Sequence, residues 1–157
     1  MSLDAPKPLS VSGAAAFRVG IVAARFNATL VDALVNRAAA SLTTAGVPAE
    51  AIETVRVPGS HEVPWAVQRL AVSGRFDAII ALGVLIAGDT NHHEMVGDAV
   101  AAALMRVSLD TRVPVINGVV VVNTREQAEV RTVGKYDRGA EFAAAALEMS
   151  ALHKTLS

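Results

Sequence analysis

Cysteine is absent from the sequence. Disulfides, thiol chemistry and Cys-built metal sites are therefore excluded. Charge of one sign is also missing: the formal net charge is -1. Nothing in that balance would draw the chain to nucleic acid or to an anionic membrane. No apolar run approaches the ~18–20 residues that a membrane span needs. Met1 to Ser12 is polar, carries Pro6 and Pro8, and lacks the basic-then-apolar order of a signal peptide. No Gly-x-Gly-x-x-Gly follows the first apolar run, and there is no Walker loop, so neither dinucleotide nor nucleotide phosphate motifs are present. Aromatic residues make up only 4%. What is abundant is alanine, whose helices pack closely and leave flat faces suited to assembly with other subunits. The 157 residues, 52% hydrophobic and 18% charged, suffice for one domain with a sizeable core. We expect a soluble, cytoplasmic protein.

The chain reads as alternating strands and helices. Residues 1–15 form an N-terminal arm, because their prolines disfavour helix. Residues 16–157 form a single α/β domain. Arg18–Ala24 is the first strand, and Asn27 is placed to cap a helix with Leu30, Leu34, Ala38 and Leu42 on one face. Gly46 stops it. Ala51–Val57 is the second strand. Pro58-Gly59-Ser60 turns the chain, and Pro64 opens a helix with Val63, Val67, Leu70 and Ala71 inward. Phe76–Ile86 is a third, fully apolar strand of the parallel-sheet kind. Asn91 and Glu94 then form a capping-box pattern before a helix with Val96, Val100, Leu104 and Val107 on one face. Val113–Val122 is the fourth strand. Thr124 and Gln127 make a second capping box, and Gly134 ends that short helix. Gly139 separates it from a last helix with Phe142, Ala146, Met149 and Leu152 at helical spacing. Helices between successive strands impose parallel crossovers. The expected fold is a three-layer α/β sandwich around a four-stranded parallel sheet in flavodoxin-like order.

In such a sheet the carboxyl ends of the strands share one rim, where ligands bind. The rim would carry Arg25-Phe26-Asn27, then Ser60-His61-Glu62. It would also carry Gly88-Asp89-Thr90-Asn91-His92-His93, and Asn117 with Asn123-Thr124. Arg131 lies one to two turns into the next helix. Gly88-Asp89-Thr90 opening a helix is a short anion cradle. Each group also has a plainer role. The 88–91 turn can serve as a cap and no more, His92 and His93 as solvated first-turn residues, Phe26 as core, Glu62 as a dipole charge, Arg131 as surface. Adjacent histidines diverge on a helix, and Val96 occupies the i+4 place from His92, which argues against a metal. The convergence of these groups on one rim favours a small-molecule site.

These residues resemble the lumazine synthase family over about Arg18 to Leu152. Val57-Pro58-Gly59-Ser60-His61-Glu62-Val63-Pro64 is similar to its Val-Pro-Gly-x-x-Glu-[Ile/Val]-Pro signature. Leu82-Gly83 through Gly88-Asp89-Thr90-Asn91-His92 is similar to its Leu-Gly-x-x-Ile-x-Gly-x-Thr-x-His signature. Arg25-Phe26-Asn27, Val113-Pro114-Val115 with Gly118, Gln127-Ala128 with Arg131, and Asp137-Arg138-Gly139 follow in the family's order. The resemblance implies condensation of 5-amino-6-(D-ribitylamino)uracil with 3,4-dihydroxy-2-butanone 4-phosphate to 6,7-dimethyl-8-ribityllumazine, with no cofactor and no metal. It further implies that Phe26, Ser60, His61, Glu62, Val84, Leu85, Ile86 and Asn117 bind the ribitylaminouracil. Asp89, Thr90 and Arg131 would hold the phosphate, and His92 would be the general acid/base. Ala87 stands where the family commonly has arginine, His93 where it has an aromatic residue, and Asn117 where it more often has an aromatic or apolar one; Asp89 is at a variable position. The resemblance also implies a homo-oligomer, a pentamer or multiples of it, with Phe26 and Arg131 of one site coming from different subunits. The alternative is a non-catalytic or weakly active relative that binds flavin or lumazine, or builds a shell.

Overall fold

The computed structural model describes residues 6–157. The expected arm lies partly outside them, at residues 1–5. Its described part, residues 6–15, has no strand and no helix before a 3-10 turn at Ala14–Ala16, and the Leu9 N–H donates to Glu148 Oε1 at 2.7 Å.

Four strands follow in order: β1 Val19–Ala24, β2 Ile52–Val57, β3 Ala78–Ile86 and β4 Val115–Val122. All pairings are parallel and the spatial order is β2-β1-β3-β4. Five helices connect and follow them: α1 Ala28–Thr44, α2 Val63–Ala71, α3 His92–Thr111, α4 Arg125–Thr132 and α5 Arg138–Leu156. β1 and most of β3 are buried on both faces, whereas the edge strands β2 and β4 are half exposed. Near-continuous apolar sequence in the two central strands is what such double burial requires.

The helices divide into two layers. Leu30, Val31, Leu34, Ala38 and Leu42 of α1 pack with Ala128 of α4 and Ala143, Ala146 and Leu147 of α5 on one face of the sheet. Val63, Val67 and Leu70 of α2 pack with Val96, Val100, Leu104 and Val107 of α3 on the other. The expected inward stripes of α1, α2 and α3 are met.

The last helix departs from expectation. Gly139 does not separate two helices; it is the second residue of α5. The buried face is Gly139, Ala143, Ala146, Leu147 and Ser150, while Met149 and Leu152 are exposed. The reason is contact distance. A Cβ on Gly139 would lie 2.6 Å from Arg37 Cβ and 2.8 Å from the Leu34 carbonyl oxygen. The small-residue face therefore sits against α1, and the larger side chains turn away.

Two expected caps also take other forms. Asn91 makes no side-chain cap bond to α3; the Thr90 hydroxyl accepts weakly from the His92 N–H at 3.4 Å instead. Asn27 precedes α1 in a left-handed conformation, φ 55°, with no cap bond. Its Nδ2 donates to the Val84 carbonyl at 2.8 Å, which ties the end of β1 to β3. By contrast the Thr124 hydroxyl accepts from the Gln127 N–H at 3.2 Å, and Gln127 Oε1 accepts from the Asn123 N–H at 2.9 Å. That second cap is reciprocal, shifted by one residue from the ideal box.

Two substitutions test this framework. Gly139→Ala should lower stability by about 1–3 kcal/mol, because helix backbone and not a flexible tip must move; denaturant unfolding at fixed protein concentration reads it. Asn27→Ala should cost about 2 kcal/mol, from the left-handed backbone and the lost bond to Val84 together. Asn27→Gly should cost roughly half as much, since only the bond is lost. Equal losses in the two Asn27 variants would show that backbone strain plays no part.

Candidate active site

The strand ends Ala24, Val57 and Ile86 bring three loops to one edge of the sheet. The loops are knitted together before any side chain is considered. The Arg25 N–H donates to the Val57 carbonyl at 2.9 Å, and the Phe26 N–H to that of Pro58 at 3.3 Å. In the second loop the Glu62 N–H donates to the Gly59 carbonyl at 3.2 Å, and the Gly59 N–H donates back to Glu62 Oε2 at 2.9 Å. One carboxylate oxygen of Glu62 thus shapes its own turn. The other lies 3.9 Å from His61 Nδ1.

Two glycines in these loops have steric reasons. A Cβ on Gly59 would come within 3.3 Å of Phe26 Cδ2, so the bare glycine lets the phenyl ring lie close over the turn. A Cβ on Gly83 would collide with the Ser60 hydroxyl. Ser60 is buried against β3 because that strand has no side chain at this point.

Between the loops is a cavity of about 490 Å³. Phe26 forms one wall and is 73% exposed. Ser60, His61 and Glu62 form another, and Val84, Leu85 and Ile86 supply an edge of β3. Gly88, Thr90 and His92 border it at the start of α3. The positive end of a 20-residue helix therefore faces the cavity, as an anion site requires. Asn27 and His93, expected on the rim but given no binding role there, also line it. Neither ring nitrogen of His93 is exposed to solvent or hydrogen-bonded among the described residues. An unmet buried polar atom costs about 1–3 kcal/mol.

Three expected residues are not on this cavity. Asp89 is exposed in the loop and does not line the wall. Asn117 is not at the rim: it pairs with Ala81 within the β3–β4 ladder, well before the Ile86–Val122 pair that closes it. Asn117 and Arg131 line a second cleft of about 400 Å³ with Val119, Val120, Val121, Arg138 and Phe142. The single rim expected from the strand order is therefore two separate concavities within one chain. A one-residue error in strand phase does not explain this; Asn117 is on the edge strand, whose outer margin faces away from β1.

The second cleft is cationic. Arg131 donates to its own helix at the Gln127 carbonyl, 2.9 Å, and forms no ion pair among the described residues. Arg138 pairs with Glu141, and its Nε is buried without a partner. Arg138 and Phe142 were missed from sequence as site residues. Their signal was an i,i+4 pair at the start of a helix, which also reads as core plus surface. α4 is held by Arg37 of α1, which donates to the carbonyls of Val133 at 2.8 Å and Gly134 at 3.1 Å. At its other end, hydrogen bonds from its own backbone N–H and from the Thr124 hydroxyl hold the Glu126 carboxyl below its ordinary range.

Comparison with known proteins gives this geometry a family. The sequence profile of 6,7-dimethyl-8-ribityllumazine synthase matches residues 16–154. A 6,7-dimethyl-8-ribityllumazine synthase of Xanthomonas campestris pv. campestris (strain B100) is 49% identical over 140 residues, covering 88% of this chain and 91% of the relative. The enzymes of the same name from Xanthomonas oryzae pv. oryzae (strain PXO99A) and Xylella fastidiosa (strain M12) are 48% and 47% identical over the same shares. The match spans both concavities, from Phe26 to Phe142, and the chain belongs to the 6,7-dimethyl-8-ribityllumazine synthase family.

Proposed function

We propose that the 490 Å³ cavity is where this chain carries out its reaction. The chain is a transferase of riboflavin biosynthesis. It condenses 5-amino-6-(D-ribitylamino)uracil with 3,4-dihydroxy-2-butanone 4-phosphate to 6,7-dimethyl-8-ribityllumazine, releasing phosphate and water. The observation that carries the site reading is the company His92 keeps. An imidazole, a hydroxyl at a helix start, an exposed phenyl ring and a bare strand edge all border one cavity.

Each role follows from the chemistry of the group. Phe26 stacks on the pyrimidine ring. The backbone of Val84, Leu85 and Ile86 meets its polar edge, and Asn27 holds the Val84 carbonyl in place. Ser60, His61 and the free oxygen of Glu62 take the ribityl hydroxyls. The Thr90 hydroxyl and the N–H groups at residues 89–90 receive the phosphate, aided by the dipole of α3. The Asp89 side chain points to solvent in this reading, and only its N–H binds. Imine formation, phosphate elimination and ring closure each move a proton, and His92 carries it in both directions. Holding two reactive partners together supplies much of the rate.

Arg131 and Asn117 belong to the same reaction from a different copy of the chain. The unpaired guanidinium of Arg131 suits a phosphate dianion, yet the cleft it lines is not the His92 cavity of its own subunit. A homo-oligomer, a pentamer or multiples of it, brings the two together. Exposed Trp65 on α2 and Met95, Met105 and Leu109 on α3 support this, because large apolar groups left outside a monomer mark contact surfaces.

His92→Ala should lower kcat by about 10²-fold, the lower bound for a lost general acid/base, without abolishing turnover. Arg131→Ala should act chiefly on KM for the phosphate substrate. An unchanged kcat in the His92 variant would remove it from the mechanism. The shared site has its own test. His92→Ala and Arg131→Ala chains, dissociated and reassembled together, should regain activity that neither has alone. No gain, or an active monomer in sedimentation, would confine the site to one subunit.

A further inference from the structure

We propose that His93, not only His92, contacts substrate, and that it serves as a specificity residue by exchanging a hydrogen bond with a carbonyl or hydroxyl of the bound substrate. The inference rests on the cavity being the active site.

His93 lines the cavity, as do Val96 and Leu85. Both of its nitrogens are shielded from solvent, and neither finds a donor or acceptor among the described residues. A neutral imidazole has one N–H to give and one lone pair to receive. A phenyl ring would fill the same flat space on the first turn of α3 and leave nothing unmet. A polar ring kept there without a protein partner is matched to a group that comes from outside the chain. The cavity it borders is where such a group arrives. The torsion that swings the ring about Cβ–Cγ is soft, so the ring can reorient toward an arriving ligand. His92 is exposed and therefore already hydrated; His93 is not, so its bond to a ligand replaces no bond to water and discriminates more strongly.

The test is a pair of variants, His93→Phe and His93→Gln, compared with the unaltered protein. Three quantities are measured: KM for each substrate, binding of 5-amino-6-(D-ribitylamino)uracil by titration, and Tm. His93→Phe should raise KM for one substrate about tenfold, which is about 1.4 kcal/mol, with Tm unchanged or higher. His93→Gln, which keeps a donor and an acceptor, should recover most of that loss. Whichever KM moves identifies the substrate that His93 meets. Both KM values within twofold of the original would overturn the proposal. So would a lower Tm with smaller particles in sedimentation, since the partner group would then be another subunit. Failure of the unaltered protein to form lumazine would count against the proposed reaction instead. The titration needs no turnover: in that case, unchanged affinity in His93→Phe would overturn the contact on its own.

Discussion

The parallel pairing of β1 with β3, from Val19–Ala78 to Ala23–Leu82, is the constraint on which the rest depends. Beyond that ladder the two chains part. β1 feeds α1 on one face of the sheet, and β3 feeds α3 on the other. A crevice must open where neighbouring strands send their helices to opposite sides. Phe26 and Asn27 leave from one lip of it, and Thr90 and His92 stand on the other. The cavity is thus a product of chain topology, and the side chains only give it chemistry. The bond from Asn27 to the Val84 carbonyl crosses this crevice at its base, where it limits how far the lips can separate.

The chemistry is divided unevenly between the two concavities. The crevice holds histidines, hydroxyls and a phenyl ring, with a helix start as its source of positive potential. The cleft on the β4 side holds two guanidinium groups and an amide. A phosphate leaving group benefits from both kinds of attraction. The dipole acts from fixed backbone groups, whereas the arginines act from longer side chains. On the proposed sharing of the site between two copies, the enzyme is complete only when assembled. Isolated chains would then bind the uracil partner through the crevice while lacking the charge for the other substrate.

Much of this was legible in the residues. Unbroken apolar strands, helical stripes and glycine stops located the four strands and the five α-helices, because double burial and amphipathic packing leave periodic signals. The signatures around Gly59–Glu62 and Gly83–His92 put eight of the named site residues on one cavity, and Phe26 joins them from the first loop. Other features were not legible, for reasons that can be stated. The buried face of α5 is set by how closely Gly139 meets α1, and an alanine-rich helix has little apolar contrast to reveal that. Asn27 has the composition of a cap, yet its left-handed backbone turns the amide toward β3, a long-range partner that no local pattern encodes. Asn117 and Arg131 share a linear neighbourhood with the rim residues but fall on the edge strand and its helix. Strand order alone does not say which side of the sheet an edge residue serves.

Gly83 and Ser60 carry a further consequence. The serine hydroxyl occupies the space where a side chain at 83 would begin. The two positions are therefore not free to vary separately in descendants of this sequence. A methyl group at 83 would displace the Ser60 hydroxyl from its present seat, whereas serine can shrink to alanine with glycine still in place. Divergence at this point is least disruptive with the loop changed first and the strand second. A lineage that had filled the strand position would regain serine at 60 only with its hydroxyl seated elsewhere. The packing that seats one hydroxyl beside the cavity thus acts as a ratchet on the history of the site.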